Sequence, residues 1–310
     1  MQPEIAHLAT ANTSISLWYR QRKFVAEEIF PRVGVDDLMG RWPKFSKQAF
    51  RALQVAGAPA SSPRRFTLDQ EPWGTYMAKA DQIAVESPDL ARNHTDNKAE
   101  WDMLHQDTAK GIVALNKELQ AIGLINTTNV TQNATLLGTN KWSDYDNSDP
   151  LTVIMTAIET IQQAVGVDSD NMELLLPRPV YRTLRRHPRL MEEIKYTQNL
   201  LGKPISGQNL ADALEIKRVV IADNLKLTSS EGQTDVLAYN WGNIALLYYH
   251  TGSPARLTPN FGYTFWVTPD SYEIKRIRNE ENDSDLFKSQ EVRDMQITEP
   301  NAAYLWNTPI

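Results

Sequence analysis

The chain has 310 residues, which is enough for one or two domains with a sizeable hydrophobic core. With 41% hydrophobic and 23% charged residues, it has the composition of a folded protein, which excludes disordered and collagen-like chains. The formal charge of −6 gives no support to nucleic-acid binding through phosphate attraction, and the absence of cysteine excludes disulfides, cysteine-ligated zinc, iron–sulfur clusters and thiol catalysis.

Charge is unevenly distributed along the chain. Residues 1–65 carry ten basic and five acidic side chains, a formal charge of +5, which leaves −11 for residues 66–310. Because opposite charges steer association, the basic segment is a candidate to lie on an acidic surface of another copy of the chain. A solvated surface with chance asymmetry is the alternative, and charge alone does not separate the two interpretations.

The first 23 residues show no sustained hydrophobic period and are predicted to form a loosely structured arm. They lack the basic and apolar regions of a secretory signal, and the longest apolar run, Ile244 to Tyr249, is far too short to span a membrane. Phe24 to Pro31 then leads into alternating Val33 and Val35, which predicts an extended anchor rather than a long helix.

Two stretches that contain aromatic residues, Trp42 to Phe50 and Phe66 to Met77, flank a segment rich in Gly, Pro and Ser, Ala56 to Pro63. That segment favours a turn, so the pattern predicts a long projecting hairpin between Arg41 and Met77. A two-stranded ribbon with few residues for a core of its own is marginally stable, and we therefore expect the hairpin to pack on another chain.

Between Leu90 and Gly123, apolar residues recur at spacings of three and four, which predicts one long amphipathic helix with a single apolar stripe. Lys110, Lys117 and Glu118 are assigned to its other faces, and Gly123 to a left-handed cap that ends it. The stripe comprises Trp101, Leu104, Thr108, Ile112, Leu115, Leu119 and Ile122.

After this helix, the polar segment Asn126 to Thr135 contains three Asn-x-Thr triplets and is predicted to be a surface loop, since glycosylation would need a secretory route. Asp149 as a cap and Pro150 as the first helical residue then predict a second helix that ends at Gly166. The further predicted elements are a buried strand (Met172 to Leu176), a short helix (Pro179 to Arg186), a helix capped by Ser206, and strands at Arg218 to Ala222, Thr234 to Tyr239, Ile244 to Tyr249, Tyr263 to Val267, Tyr272 to Ile277 and Leu286 to Ile297.

The chain contains no phosphate-binding loop, nucleophile elbow, Ser-x-x-Lys pair or His-Glu-x-x-His zinc helix. His94 and His105 are eleven residues apart, which on one helix places them on a common face near Asp96, Glu100 and Asp102. A metal site is one hypothesis for this face, and a solvated helix surface is the simpler alternative.

Five arginines follow one another at short spacing: Arg178, Arg182, Arg185, Arg186 and Arg189. They form either a cationic stripe that binds phosphate or carboxylate groups, or the solvated face of a helix. We predict no catalytic residues and no cofactor.

Several short motifs follow one another in a characteristic order. Phe30-Pro31-Arg32-Val33-Gly34-Val35 ends the anchor, Ala58-Pro59 lies in the hairpin turn, and Trp142-Ser143-Asp144 precedes Ser148-Asp149-Pro150. The later motifs are Asn171-Met172-Glu173-Leu174-Leu175-Leu176, His187-Pro188, Leu210-Ala211, Arg218-Val219-Val220-Ile221 and Asn301-Ala302-Ala303-Tyr304-Leu305-Trp306. Taken in this order, they resemble the major capsid proteins of tailed bacteriophages, whose shell fold is named after phage Hong Kong 97. The chain departs from many relatives at Ala56-Gly57-Ala58-Pro59, where they carry an Arg-Ala-Pro-Gly turn.

The resemblance implies an α+β Hong Kong 97-like capsid fold with four parts. Residues 1–36 correspond to the N-terminal arm and residues 37–80 to the extended loop. Residues 81–147 correspond to the peripheral domain with its spine helix, completed by residues 269–310, and residues 148–268 to the axial domain. With the extended loop as a contact between subunits, the candidate interface residues are Arg41, Trp42, Lys44, Lys47, Pro59, Arg64, Arg65 and Trp73.

The resemblance also implies a function. The chain is expected to be a structural protein rather than an enzyme. It assembles with itself, as pentamers and hexamers, into an icosahedral head shell in the host bacterial cytoplasm. The shell, a part of the virion, encloses double-stranded DNA without sequence-specific binding. Scaffold, portal and decoration proteins are further candidate partners, and a membrane is not. Two alternatives are kept: an encapsulin-like nanocompartment subunit, and a soluble α+β metalloenzyme that uses His94, Glu100 and His105.

Overall fold

The computed structural model describes residues 24–44, 47, 62, 65, 73–95, 97–197, 205–230, 232–252 and 258–310. The predicted arm, residues 1–23, and most of the hairpin between residues 45 and 72 lie outside the described residues. Within the described ranges, most of the helices lie in the middle of the chain between two runs of strands, and the strands form two five-stranded sheets and two short two-stranded ones. The expected α+β class is confirmed. None of the described helices is both long and apolar enough to cross a membrane.

The helices begin and end where the local sequence supplies caps. The Asn97 side chain accepts a hydrogen bond from the Glu100 amide, and the Asp149 side chain accepts one from the Thr152 amide, with Pro150 as the first helical residue. Gly166 ends the second of these helices with a φ of 76°, as its sequence predicts. The helices are α1 (Ala26–Ile29), α2 (Asp89–Asn93), α3 (Lys98–Leu124), α4 (Pro150–Val165), α5 (Arg178–Leu184), α6 (Pro188–Thr197) and α7 (Gly207–Ala213).

The strands follow the predicted pattern with some changes of boundary. They are β1 (Arg32–Val35), β2 (Met39–Trp42), β3 (Gly74–Met77), β4 (Lys79–Pro88), β5 (Gln132–Thr135), β6 (Met172–Pro177), β7 (Arg218–Ala222), β8 (Leu225–Leu227), β9 (Leu237–Tyr239), β10 (Ile244–Tyr249), β11 (Gly262–Val267), β12 (Tyr272–Asn279), β13 (Ser284–Ile297) and β14 (Ala303–Asn307). The segment predicted as a polar loop thus contains a strand, β5, because it pairs with β14 near the other end of the chain.

One sheet, which we call the outer sheet, is built around the long strand β13. One side of β13 pairs with β4 along ten residues, and the other side pairs with β12 and then β11, which in turn pairs with β1. Helix α3 packs on this sheet against β4, β12 and β13. With 27 residues, α3 is about 40 Å long at 1.5 Å per residue.

The other sheet, which we call the inner sheet, has the order β5-β14-β10-β6-β7. Every residue of β6 is buried, as expected for a central strand covered on both faces. Trp142 and Trp306 are both fully buried, and their rings pack 5.6 Å apart. The Trp-x-Asp motif therefore serves the core of the inner sheet.

The prediction of one continuous helix from Leu90 to Gly123 is wrong in three respects. The helix is interrupted between Asn93 and Lys98, where Asn97 caps the start of α3. Gly123 lies inside α3 and is not a left-handed cap, because the helix continues to Leu124. Its buried face is also rotated from the apolar stripe, since it consists of Ala109, Val113, Lys117, Glu118 and Ala121. Hydrophobic periodicity misses this face because two of the five buried residues are charged.

Strand pairing crosses the expected domain boundaries in two places. β14 was assigned with the peripheral segments, but it pairs with β10 in the inner sheet. β11 was assigned to the axial segment, but it pairs with β13 in the outer sheet. The pairing of strands that are far apart in sequence depends on tertiary contacts, which a division of the chain into consecutive ranges does not represent.

Candidate assembly interface

The base of the predicted hairpin is formed by β2 and β3, which pair antiparallel with Trp42 opposite Gly74. The rings of Trp42 and Tyr76 both stack on Phe265 of β11, with ring centroids 5.1 and 4.5 Å apart respectively. The aromatic stack fastens the root of the hairpin to the outer sheet.

Two glycines make room for these rings. A side chain at Gly74 would overlap the Trp42 indole, and one at Gly40 would overlap the Tyr76 ring. Neither glycine has a positive φ, so backbone conformation is not the reason for glycine here. Glycine is required because the aromatic rings approach the backbone too closely for a side chain.

The eight candidate interface residues have different environments. Trp42 is half-buried against its own chain, and Trp73 is 51% exposed. Pro59 and Arg64 lie outside the described residues. The remaining four, all exposed, are Arg41, Lys44, Lys47 and Arg65. Of the described candidates, Trp42 packs within the subunit at the base of the hairpin. The four basic residues lie on the surface.

An apolar patch surrounds the base of the hairpin. Leu38, Met39 and Met77 are each more than half exposed, at 52%, 66% and 59%. Together with Trp73 they expose large apolar side chains on or next to the paired strands β2 and β3, where Met39 lies opposite Met77. Exposed apolar groups that are clustered in this way are typical of protein–protein contact surfaces.

The anchor is held by a buried carboxylate, Glu118, which the sequence pattern assigned to a helix face other than the apolar stripe. Glu118 of α3 is fully buried and accepts hydrogen bonds from the backbone amides of Val25 at 3.0 Å and Ala26 at 2.8 Å. Its other oxygen accepts the indole N–H of Trp241 at 2.5 Å. Because the first amides of a helix lack partners within the helix, Glu118 also caps the start of α1.

Lys117, the neighbour of Glu118, joins the anchor to the outer sheet. Its ammonium lies 2.5 Å from a carboxylate oxygen of Glu27 in α1 and 2.9 Å from one of Glu291 in β13. Arg32 pairs with the same Glu27 and lies over the Trp266 ring, with the guanidinium carbon 3.9 Å from the ring centroid. Lys117 and Arg32 together lower the pKa of Glu27, although burial raises it.

The anchor is also joined to the inner sheet, through Arg218. This guanidinium lies 3.1 Å from Glu28 in α1 and 2.9 Å from Glu173 in β6. Glu173 is fully buried and also accepts from Lys217 at 3.0 Å and from the Tyr248 hydroxyl at 2.9 Å. Burial alone would raise the pKa of this carboxyl, but the nearby His250 imidazole, at 3.6 Å, and the donors Arg218, Lys217 and Tyr248 hold the pKa well below the usual range.

We call this set of charged contacts the anchor junction: Glu27, Glu28, Lys117, Glu118, Glu173, Arg218 and Glu291. It positions the root of the N-terminal arm relative to both sheets. The sequence did contain one signal for it, since Glu173 interrupts an otherwise apolar strand. Lys117 and Glu118 carried no such signal, because polar residues are ordinary on a surface helix.

The proposed metal-binding face is not assembled by the structure. His94 follows α2 and lies outside α3, so it does not share a helical face with Glu100 and His105. Asp102 is held by Arg92 through two hydrogen bonds of 2.7 Å, and Asp96 lies outside the described residues. In the described part of the chain, no group of three or more His, Asp or Glu side chains is arranged to hold a metal ion.

Two other candidate groups have structural partners. In the arginine stripe, Arg178 pairs with Asp223, and Arg189 pairs with Asp149 at 2.9 Å. His187 is fully buried, and its Nε2 lies 3.0 Å from the Ser148 hydroxyl. His187 therefore ties the His-Pro motif to the Ser-Asp-Pro motif, and burial lowers its pKa.

Comparison with known proteins gives two curated relatives. The chain is 24% identical over 300 residues to the major capsid protein of Burkholderia phage BcepMu, an alignment that covers 94% of each chain. It is 24% identical over 261 residues to the major capsid protein of Pseudomonas phage JBD67, covering 81% of this chain and 80% of that one. No family model matches the chain.

Similar folds occur among solved structures. A phage-related protein from Bordetella bronchiseptica aligns with a TM-score of 0.72 and 22% identity, covering 94% of this chain and 93% of that one. The capsid structure of cyanophage P-SCSP1u aligns with a TM-score of 0.61 and 9% identity, covering 96% and 91%. The likeness therefore extends over nearly the whole chain in both sequence and fold.

Proposed function

We propose that this chain, which is a major capsid protein of the tailed-phage type with the Hong Kong 97-like fold, forms the closed icosahedral head shell around a double-stranded DNA genome. The observation that carries the proposal is the alignment with the BcepMu capsid protein, which spans 94% of both chains. An alignment of that extent leaves little of the chain for an additional domain.

The structure supports assembly through extended contacts. The hairpin is fastened at its root by the stack of Trp42 and Tyr76 on Phe265, and apolar side chains are exposed around it. A rigid root with an exposed apolar surface suits a segment that binds a neighbouring subunit. Many modest contacts of this kind, repeated over closed symmetry, stabilise a shell more than any one contact does.

We assign the subunit interface to the extended loop, residues 37–80, and to the arm, residues 1–36. The interface residues are those predicted from the sequence, with Leu38, Met39 and Met77 added from their exposure. We also propose an axial role for residues 148–268 and a peripheral role for residues 81–147 and 269–310. Strand β14 pairs in the inner sheet and β11 in the outer sheet, so each part contributes one strand to the other part's sheet.

We also propose how the subunit assembles and which partners it has. Subunits assemble as pentamers and hexamers in the host cytoplasm, with scaffold, portal and decoration proteins as further partners. The chain acts as a structural protein and encloses DNA without sequence-specific contacts. Its formal charge of −6 supports this, because a wall with an excess of acidic groups does not hold packed DNA tightly.

Electron microscopy and light scattering on the protein expressed alone, and then together with its neighbouring genes, test the function. Closed shells tens of nanometres across, large enough for a phage genome, are expected. An encapsulin-like compartment, which the named relatives do not favour, would give smaller particles filled with protein cargo. A compact dimer with stoichiometric bound metal would contradict the capsid function.

A further inference from the structure

Two carboxylates lie opposite each other on the paired strands β4 and β13. Asp81 is the register partner of Glu291, so the two side chains share one face of the outer sheet. Like charges directly opposite each other destabilise a sheet. This position therefore depends on cations that lie beside both carboxylates.

Arg293 is the first of these cations. It is two residues from Glu291 along β13, on the same face, and its guanidinium lies 2.8 Å from Asp81 and 2.5 Å from Glu291. The side chain is fully buried, and burial lowers the pKa of the guanidinium although both carboxylates raise it. Because a buried charge is stable only when it is paired, Arg293 needs these carboxylates.

Lys117 is the second cation, and it extends the contacts to the anchor of the arm. Its ammonium lies 2.9 Å from Glu291 and 2.5 Å from Glu27 of α1. The five side chains alternate in sign, and we call them the charged row: Asp81, Arg293, Glu291, Lys117 and Glu27. The row contains three carboxylates for two buried cations.

The charged row begins at the root of the extended loop. Asp81 lies near the start of β4, which follows the loop, and it also accepts a hydrogen bond from the side chain of Gln120 in α3 at 2.8 Å. The backbone amide of Met77, the last residue of β3, donates to Asp294 at 2.9 Å. The stretch of β13 that holds the anchor thus also holds the root of the loop.

We propose that the root of the extended loop and the anchor of the arm compete for the two buried cations through their shared partner Glu291. When Asp81 moves away, Arg293 pairs fully with Glu291, which leaves Lys117 to pair more strongly with Glu27. Withdrawal of Glu27 strengthens the hold on Asp81 by the same steps in reverse.

Low exposure makes this competition effective. The side chains of Arg293, Lys117 and Glu291 are 0%, 5% and 14% exposed, so water and salt screen their interactions only weakly. Arg32 also pairs with Glu27, but it is 42% exposed and belongs to the same end of the chain as the anchor. It therefore does not replace Lys117 as the link to the outer sheet.

The competition gives the subunit a way to relate its two assigned interface segments. A neighbour that shifts the root of the loop would make the same subunit hold its arm more firmly. That role rests on the proposed function, whereas the competition itself takes place within one subunit and can be measured without assembly.

Hydrogen exchange of backbone amides in the full chain, before assembly, tests the proposal. Asp81→Asn removes one end of the charged row and leaves the contacts of the anchor in place. We expect the protected amides of Glu28, Ile29 and Phe30 to exchange at least about fivefold more slowly. Glu273→Gln is the control, because it removes a carboxylate from an exposed pair on the same sheet, and it is expected to leave this exchange unchanged.

The Glu291→Gln background shows whether the shared carboxylate carries the effect. Without it, Asp81→Asn is expected to change the exchange of the anchor amides by less than about twofold. Slowing of equal size in both backgrounds would overturn the inference. Unchanged or faster exchange of the anchor in Asp81→Asn would also overturn it, since loss of stability alone makes exchange faster.

The reciprocal variant keeps the test valid if Asp81→Asn does not fold. Because coupling between two sites is mutual, Glu27→Gln is expected to slow exchange at Met77 and Ala78 by at least about fivefold. Unchanged or faster exchange there contradicts the competition. These results leave the capsid function intact, whereas failure of the unmodified chain to form shells, with or without its neighbouring genes, contradicts the function and not the competition.

Discussion

The ammonium of Lys117 lies 2.9 Å from the carboxylate of Glu291, which joins helix α3 to strand β13 at a point where both side chains are largely buried. The same ammonium lies 2.5 Å from Glu27 of the anchor. Lys117 therefore determines how the root of the arm, the helix and the outer sheet are placed relative to one another.

Replacing Lys117 by methionine is expected to lower the free energy of unfolding by about 1–3 kcal/mol, because it removes a buried ammonium from Glu27 and Glu291, which keep Arg32 and Arg293 as partners. Lys110→Met is the control, since Lys110 pairs with Glu273 at 3.1 Å where both are exposed, and a loss under about 1 kcal/mol is expected. Urea denaturation measures both. Similar losses would show that burial of Lys117 does not matter for stability.

Glu118→Gln is expected to destabilise the subunit by about 1–3 kcal/mol, since an amide provides one acceptor oxygen for three donors. It should also increase proteolytic cleavage near Phe24, because the root of the arm is released. Glu159→Gln, on the exposed face of α4, is the matched control and is expected to change neither quantity. Cleavage that is unchanged in Glu118→Gln would contradict an anchoring role.

Gly74→Ala tests the root of the hairpin. The added methyl group displaces the Trp42 indole from Phe265, so we expect a folded subunit with a reduced yield of shells by sedimentation. Gly111→Ala is the control, because the site faces open space within α3 and alanine favours helix by up to about 1 kcal/mol. A normal yield from Gly74→Ala would show that assembly does not depend on this stack.

Deletion of residues 56–63 tests the rest of the hairpin. The subunit is expected to stay folded, because the buried residues that the structure describes on either side of this segment already pack into a hydrophobic core with one another. Its assembly is expected to be poor, because the turn is assigned to a contact between subunits. Circular dichroism and sedimentation measure the two properties, and normal shells from the deletion variant would contradict the assignment.

His187 is expected to make stability fall on mild acidification. Burial lowers its pKa in the folded subunit, so between that pKa and the unfolded value near 6.5 the unfolded chain binds more protons than the folded one. The contribution is complete above about pH 6.5 and is lost as the pH falls through this window. Denaturation between pH 7.5 and 5 should show a smaller decrease for His187→Gln, and an equal decrease would exclude His187 as the cause.

Much of the local structure is predictable from the sequence. Asp149 and Pro150 start α4, Gly166 ends it, and the apolar run at Met172 to Leu176 forms a buried strand, as expected. Caps and hydrophobic periods act within a few residues, so one chain segment contains the whole signal. The order of the motifs also led to the capsid family, which the named relatives support.

The anchor junction was decided by the tertiary structure alone. Glu118 binds partners that are 93 and 123 residues away, Val25 and Trp241, and nothing near Glu118 in the sequence indicates them. A carboxylate is stable in a protein interior only when such partners are present, so its burial depends on the whole fold. The local sequence determined which segments are helices and strands. Long-range pairing decided which of their faces are buried, which strands share a sheet and where the arm leaves the body.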